Sequence, residues 1–203
     1  MNDGPLRPPV VFNVVAEGDI DETVLRRLVL ETGAVPGRVH GRNGRSKIKN
    51  QIQAYNRAAR FDHWLVLIDL DRDECPASLR ALWLPEPAGL MCFRIAVRAV
   101  ESWLLADREA IAGFLGIALS KVPHQPDAEI NPKRALIDLA RSSRSEIRRD
   151  LVPHPESGRT VGPGYSSRMK DYITNHWRPE VAAESSDSLR RSRLRIGELA
   201  RRG

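Results

Sequence analysis

Apolar residues change their period along the chain, and the changes mark out elements. Val10-Val11-Phe12-Asn13-Val14-Val15-Ala16 is a β-branched run stopped by Glu17-Gly18, the pattern of a buried strand entering a turn. Asp19, Asp21 and Glu22 then open a helix whose Val24, Leu25, Leu28 and Val29 share one face, with Gly33 just past its end. A short strand is predicted around residues 37–40, and Ile48, Ile52, Tyr55 and Ala59 recur at the spacing of a second amphipathic helix. Trp64-Leu65-Val66-Leu67-Ile68 runs into Asp69-Leu70-Asp71-Arg72-Asp73, and a fourth strand, Met91 to Val97, leads to Glu101-Ser102-Trp103-Leu104-Leu105-Ala106-Asp107. Strands alternating with helices at these intervals predict a parallel α/β sheet.

Beyond residue 107 the pattern becomes helical and polar. Asp107 is placed to cap a helix over 108–115 closed by Gly116, and Asn131-Pro132 to start another carrying Ala135, Leu136, Leu139 and Ala140. Proline and glycine make a loop of 153–164, and Met169, Tyr172, Ile173 and His176 repeat at helical spacing after it. The expected organisation is an α/β core over 8–116 and a helical extension over 117–203, packed on that core. Pro85 and Pro87 mark a loop, and Trp83-Leu84-Pro85 and Trp177 are candidates for exposed aromatic anchors.

Composition narrows the class. No apolar stretch of about 20 residues is present to span a membrane, and no basic-then-apolar leader opens the chain, so a soluble cytoplasmic protein is expected. Cys75 and Cys92 form no CxxC or disulfide framework and read as ordinary buried thiols. The net charge of +6 is compatible with nucleic acid as a partner. The histidines show no paired spacing, which argues against a histidine metal site.

The candidate chemistry lies where strands end. In a parallel sheet, reacting groups gather beyond the carboxyl ends of the strands. Glu17 follows the first strand, Asp69 and Asp71 the third, and Glu101 and Asp107 the fourth. Asp69 and Asp71 are two apart, so in extended backbone they point the same way, with Asp73 following if extension continues. Such carboxylates make a hard oxygen site for Mg²⁺ or Mn²⁺ and for phosphoryl chemistry. Each acid also has a structural reading: Glu17 bonding the next helix start, Asp69 and Asp71 as solvated loop caps, Glu101 paired with Arg94 or Arg98, Asp107 as an N-cap. Lys133 is the candidate cation beside a scissile phosphate. Arg45, Lys47 and Lys49 could meet phosphate or form a solvated helix start, and the six arginines against one glutamate over 188–202 could grip an acidic partner or line an exposed helix.

The Glu17-Gly18 turn, the Ile68-Asp69-Leu70-Asp71 strand end and the string from Arg94 to Asp107 together resemble a family of small bacterial Toprim-like proteins. That family is related to the Toprim domains of overcoming-lysogenization-defect (OLD) nucleases and is often encoded beside an ABC- or OLD-type ATPase. The resemblance covers residues 10–115 and extends more loosely through Asn131-Pro132-Lys133, Gly164-Tyr165 and Ser188-Leu189. It implies a Toprim-like parallel sheet flanked by helices, with Glu17, Asp69 and Asp71 as metal ligands and Glu101 as an added acid. The catalytic set is then Glu17, Asp69, Asp71, Glu101 and Lys133, with Asp73 as a further metal ligand. The expected activity is metal-dependent hydrolysis of DNA or RNA phosphodiesters, in phage defence with an ATPase partner. A catalytically silent subunit that binds an ATPase or nucleic acid is the alternative, and a DxD-type nucleotide-sugar transferase a more distant one. No covalent-tyrosine or primase module accompanies the motif, with Tyr55, Tyr165 and Tyr172 in ordinary helical or loop contexts. The sequence leaves the oligomeric state open.

Overall fold

A computed structural model describes residues 8–42, 44–73 and 75–202. The elements run β1 (Val11–Ala16), α1 (Asp19–Leu30), β2 (Val35–Gly41), α2 (Arg45–Ala58), β3 (His63–Asp69), α3 (Pro76–Trp83) and β4 (Met91–Ala96). They continue with α4 (Val100–Ala106), α5 (Arg108–Leu115), α6 (Pro132–Ala140), α7 (Ser145–Leu151), α8 (Tyr165–Asn175), α9 (Pro179–Ser185) and α10 (Asp187–Ala200). The four strands form a parallel sheet in the order β2-β1-β3-β4. The fold is therefore α/β, a parallel sheet flanked by helices with a helical C-terminal region.

Strand alternation sorts the core into two layers. Phe12, Val14 and Ala16 of β1, Leu65 and Leu67 of β3, and Cys92 and Ala96 of β4 face α1 and the C-terminal helices. Val15, Trp64, Val66, Ile68, Met91, Phe93 and Ile95 face α2 and α3. Both faces are covered, which is why these strands read as apolar runs and not as apolar–polar alternation. The chain steps one way from β1 to β2 and the other way from β2 to β3. With right-handed crossovers this reversal puts α1 and α2 on opposite faces. It also makes the boundary between β1 and β3 the point where strand order reverses, where open α/β sheets bind ligands.

α4 is the centre of the C-terminal layer, and all its residues are buried. The Trp103 indole donates to Ser188 Oγ at 2.7 Å, the Trp177 indole donates to the Trp103 carbonyl at 3.1 Å, and the Tyr172 hydroxyl donates to the Leu104 carbonyl at 3.2 Å. These bonds fix α8, α9 and α10 around α4. Among the described residues, no helix is long and apolar enough to cross a membrane.

Three sequence expectations are corrected. Trp83 and Trp177 are buried, at 6% and 1% exposure, and are core residues. Trp83 closes α3, an element hidden in sequence between the Asp69–Asp73 acids and the Pro85/Pro87 loop, and stacks on Phe93 at 6.1 Å. Its start is Pro76 at the first helical turn, and Leu79 and Trp83 are its buried i, i+4 pair. Of the two thiols only Cys92 is buried, because Cys75 sits in the loop before α3. Helix caps follow the sequence closely. Asp107 accepts from the Ala110 amide, Asn131 from the Arg134 amide, and Gly116 takes the left-handed φ of 65° that ends α5.

Candidate active site

Four carboxylates meet beyond the carboxyl ends of β1, β3 and β4. Glu17, in the β1–α1 turn, accepts the Asp69 main-chain N–H at 3.2 Å. Asp69, the last residue of β3, accepts the Val100 N–H at 3.0 Å, the first amide of α4. Asp21 reaches back from the first turn of α1 to accept the Gly18 N–H at 2.9 Å. Glu101 is 1% exposed in α4; its Oε1 accepts the Tyr165 hydroxyl at 2.9 Å and pairs with Lys133 Nζ at 3.2 Å. Glu101 Oε2 is buried with no partner.

Electrostatics show how close these groups are. Burial raises the Asp69 pKa well above the ordinary carboxylate range, and the charges of Asp21, Glu101, Glu17 and Asp71 push it further. Asp21 is raised to about 7, by burial and then by Glu101 and Glu17. Glu17 is raised by burial, with the Asp69 amide, Arg45 and Lys133 opposing. Partial burial works against the Lys133 ammonium, yet Glu101, Asp69 and Asp21 outweigh it and raise its pKa. Burial and the Glu101 charge raise the Tyr165 phenol, so it remains a hydrogen-bond donor at any working pH.

Asp71 and Asp73 sit at the more exposed side of the same cleft, where Arg45 holds them, and the Asp71 charge still raises Glu17 and Asp69. Asp71 has a φ of 54°, so the strand alternation that would have aligned it with Asp69 stops at Asp69. Arg45 donates to the Asp69 carbonyl at 2.7 Å, bonds Asp71 Oδ2 at 3.1 Å and pairs with Asp73. Arg98 donates to the carbonyls of Asp71 and Asp73 at 3.3 and 2.8 Å. The sequence offered Arg94 or Arg98 as the structural partner of Glu101; the partner is Lys133. Asp107 lies away from this site as a buried helix cap. It accepts the Arg178 amide at 2.9 Å and a two-nitrogen contact from its guanidinium at 3.0 and 2.6 Å.

A cleft of about 820 Å³ opens over Asp69, Asp71, Asp73 and Glu101, and Arg45, Lys49, Arg98 and Lys133 line it as well. The guanidinium of Arg45 and the ammonium of Lys49 lie over the Trp83 ring at 5.3 and 5.8 Å. Lys47 is exposed and lies outside the cleft lining. The floor, Asp69 and Glu101, is thus acidic, while the more open lining mixes the exposed carboxylates of Asp71 and Asp73 with Arg45, Lys49, Arg72 and Arg98.

The sequence reading missed two members, Asp21 and Tyr165. Asp21 looked like a first-turn helix acid, although its place four residues after Glu17, in the first turn of α1, was a usable signal. Nothing local to Tyr165 pointed to Glu101, 64 residues away.

Among the described residues, no group of three or more carboxylate, imidazole or thiol side chains is arranged so that it could hold a metal ion. The donor set nonetheless fits a hard divalent cation: all-oxygen ligands, mutually repelling carboxylates, and one buried carboxylate oxygen without a partner. The chain matches no protein-family model, no curated protein and no solved structure.

Proposed function

We propose that this protein is a Mg²⁺- or Mn²⁺-dependent phosphodiester hydrolase acting on nucleic acid, of the Toprim-like kind its motifs resemble. The unpartnered Oε2 of Glu101, buried beside Asp69, Asp21 and Glu17 at the strand-order reversal, is the observation that carries this reading. An unpaired buried carboxylate oxygen is costly and calls for a cation. Glu17, Asp21, Asp69 and Glu101 would hold the metal, with Asp71 and Asp73 recruited if Arg45 releases them. A bound divalent cation would supply Lewis-acid polarisation of a phosphoryl oxygen.

The protein's own groups have distinct parts in this reading. Lys133, half exposed at the cleft and fixed by Glu101, offers its ammonium to a phosphate oxygen, where charge develops during attack. Tyr165 orients Glu101 from the buried side. Arg45, Lys49 and Arg98 give the cleft basic groups that can meet a phosphate backbone.

A second reading, a silent subunit that binds nucleic acid or an ATPase partner, is favoured by a single observation. Lys133 already pairs with Glu101, and Arg45 with Asp71 and Asp73, without any metal ion. Calorimetric Mg²⁺ and Mn²⁺ titrations of wild type and Asp69→Asn, with cleavage assays on the same samples, separate the two. Binding that is lost in the variant, with wild-type cleavage, supports the hydrolase. No metal binding at millimolar concentration removes it in favour of the silent subunit.

A further inference from the structure

The cleft carries two apolar side chains that neither the fold nor the proposed chemistry uses. Leu82 is 75% exposed and Ile130 is 90% exposed, and both line the cleft over the acidic floor. Isolated exposed apolar residues are ordinary on a protein surface. These two come from opposite layers. Leu82 belongs to α3, whose Leu79 and Trp83 pack in the layer with α2. Ile130 precedes α6, whose Leu136 and Ile137 pack in the layer with α1 and the C-terminal helices. The cleft therefore has an apolar residue on each of its two walls, above basic side chains and a carboxylate floor.

We propose that the site takes unpaired, single-stranded nucleic acid, with a base lodged against Leu82 and Ile130 while the phosphate meets Arg45, Lys49 and Lys133. This rests on the hydrolase reading and specifies its substrate. A duplex turns sugars and phosphates outward and keeps its bases stacked and paired, so it offers an apolar lip little to bury. An unpaired strand can splay its bases out, and apolar or aromatic surfaces beside a basic track recognise them with little regard to sequence. Trp83 is not the platform, because Arg45 and Lys49 already lie over its ring. That leaves Leu82 and Ile130 as the apolar contacts, and the basic side chains of the lining, Arg45, Lys49, Arg72, Arg98 and Lys133, favour a polyanion over an apolar peptide.

The test compares a labelled single strand with a blunt duplex of the same sequence. Fluorescence anisotropy is read in calcium buffer, cleavage in Mg²⁺ or Mn²⁺, for wild type and the Leu82→Ser/Ile130→Ser double variant. Both positions are exposed, so the variant should melt as wild type does. The expected result is single strand bound about tenfold more tightly than duplex, and a loss of about five- to tenfold on single strand only in the variant. Equal or tighter binding and cleavage of duplex, or a variant that holds single strand as wild type does, overturns this proposal and leaves the hydrolase reading intact. If neither nucleic acid is bound or cut, the hydrolase reading falls and this proposal falls with it.

Discussion

The main-chain N–H of Asp69 donates to the Glu17 carboxylate at 3.2 Å, joining the ends of two neighbouring parallel strands through a side chain that is itself a candidate ligand. Glutamine at position 17 keeps an acceptor for that amide and removes the charge. Burial raises the Glu17 pKa, so its ionised form is disfavoured in the fold. Glu17→Gln is therefore expected to be at least as stable as wild type without metal at neutral pH, and to bind Mg²⁺ or Mn²⁺ at least about tenfold more weakly. Denaturant unfolding and calorimetry on the same preparations check both halves. A variant destabilised without metal but unchanged in metal affinity would make Glu17 a purely structural tie.

Asp21 sets a pH dependence of stability. Its pKa rises from an ordinary 3.8 to about 7 on folding. Between those values the folded state holds a proton that the unfolded chain has released, so stability falls as pH rises through this window. Above about pH 7 the loss is complete; below about pH 4 both states are protonated and it vanishes. Asp21→Asn keeps the acceptor for Gly18 and cannot ionise. Without metal the variant should match wild type at low pH and exceed it at pH 8 by on the order of 4 kcal/mol. Saturating Mg²⁺ should narrow the gap at pH 8, because wild type gains more from the cation. Urea midpoints across pH measure it, and parallel curves for the two proteins would contradict the assignment.

The sequence made the strands, the caps and three of the site's clustered acids legible because each is written locally. The β-branched runs, Asp107 with Gly116, and Asn131 with Pro132 are read within a few residues, and Glu17, Asp69 and Glu101 stand directly at strand or helix boundaries. What failed depends on backbone geometry or on distance. Asp71 leaves the extended line of Asp69 because of one left-handed φ; Lys133 reads as a candidate cation, but its pairing with Glu101 spans 32 residues, which no periodicity encodes. α3 was overlooked because it has little more than two turns and its amphipathic signal is Leu79 and Trp83 alone. Trp83 and Trp177 read as surface anchors beside prolines and charges, yet their partners, Phe93 and Trp103, lie in other elements.

Tyr165 and Lys133 share one oxygen of Glu101, so their effects should not add. Tyr165→Phe removes a buried hydrogen bond to a charged acceptor and should cost about 1–3 kcal/mol of stability. Lys133→Met leaves the buried carboxylate with Tyr165 as its only side-chain partner among the described residues, and in the hydrolase reading it should slow cleavage by about 10²- to 10³-fold. The double variant should depart from the sum of the two stability changes by about 0.5–3 kcal/mol. Equilibrium unfolding of the four proteins closes the cycle. Strict additivity would show that the two groups act on Glu101 independently, and unchanged cleavage in Lys133→Met would remove the lysine from the reaction.

Asp107 is the strand-end acid that the sequence reads as a helix cap and leaves out of the catalytic set, and the structure gives it enough work without chemistry. It is fully buried, accepts the Ala110 amide at the start of α5, and receives the Arg178 amide and guanidinium from the chain entering α9. Asp107→Ala would remove a helix cap worth about 0.5–2 kcal/mol. It would also strip the Arg178 contacts, although that guanidinium stays 40% exposed and can rehydrate. The total loss should therefore be about 2–4 kcal/mol, short of what stranding a fully buried charge would cost. Metal affinity and cleavage per folded molecule should be unchanged, since Asp107 is absent from the cleft lining. The comparison must be made well below the variant's melting temperature, with the folded fraction measured by circular dichroism. A stable Asp107→Ala protein with impaired metal binding would reverse the assignment and place this acid in the site.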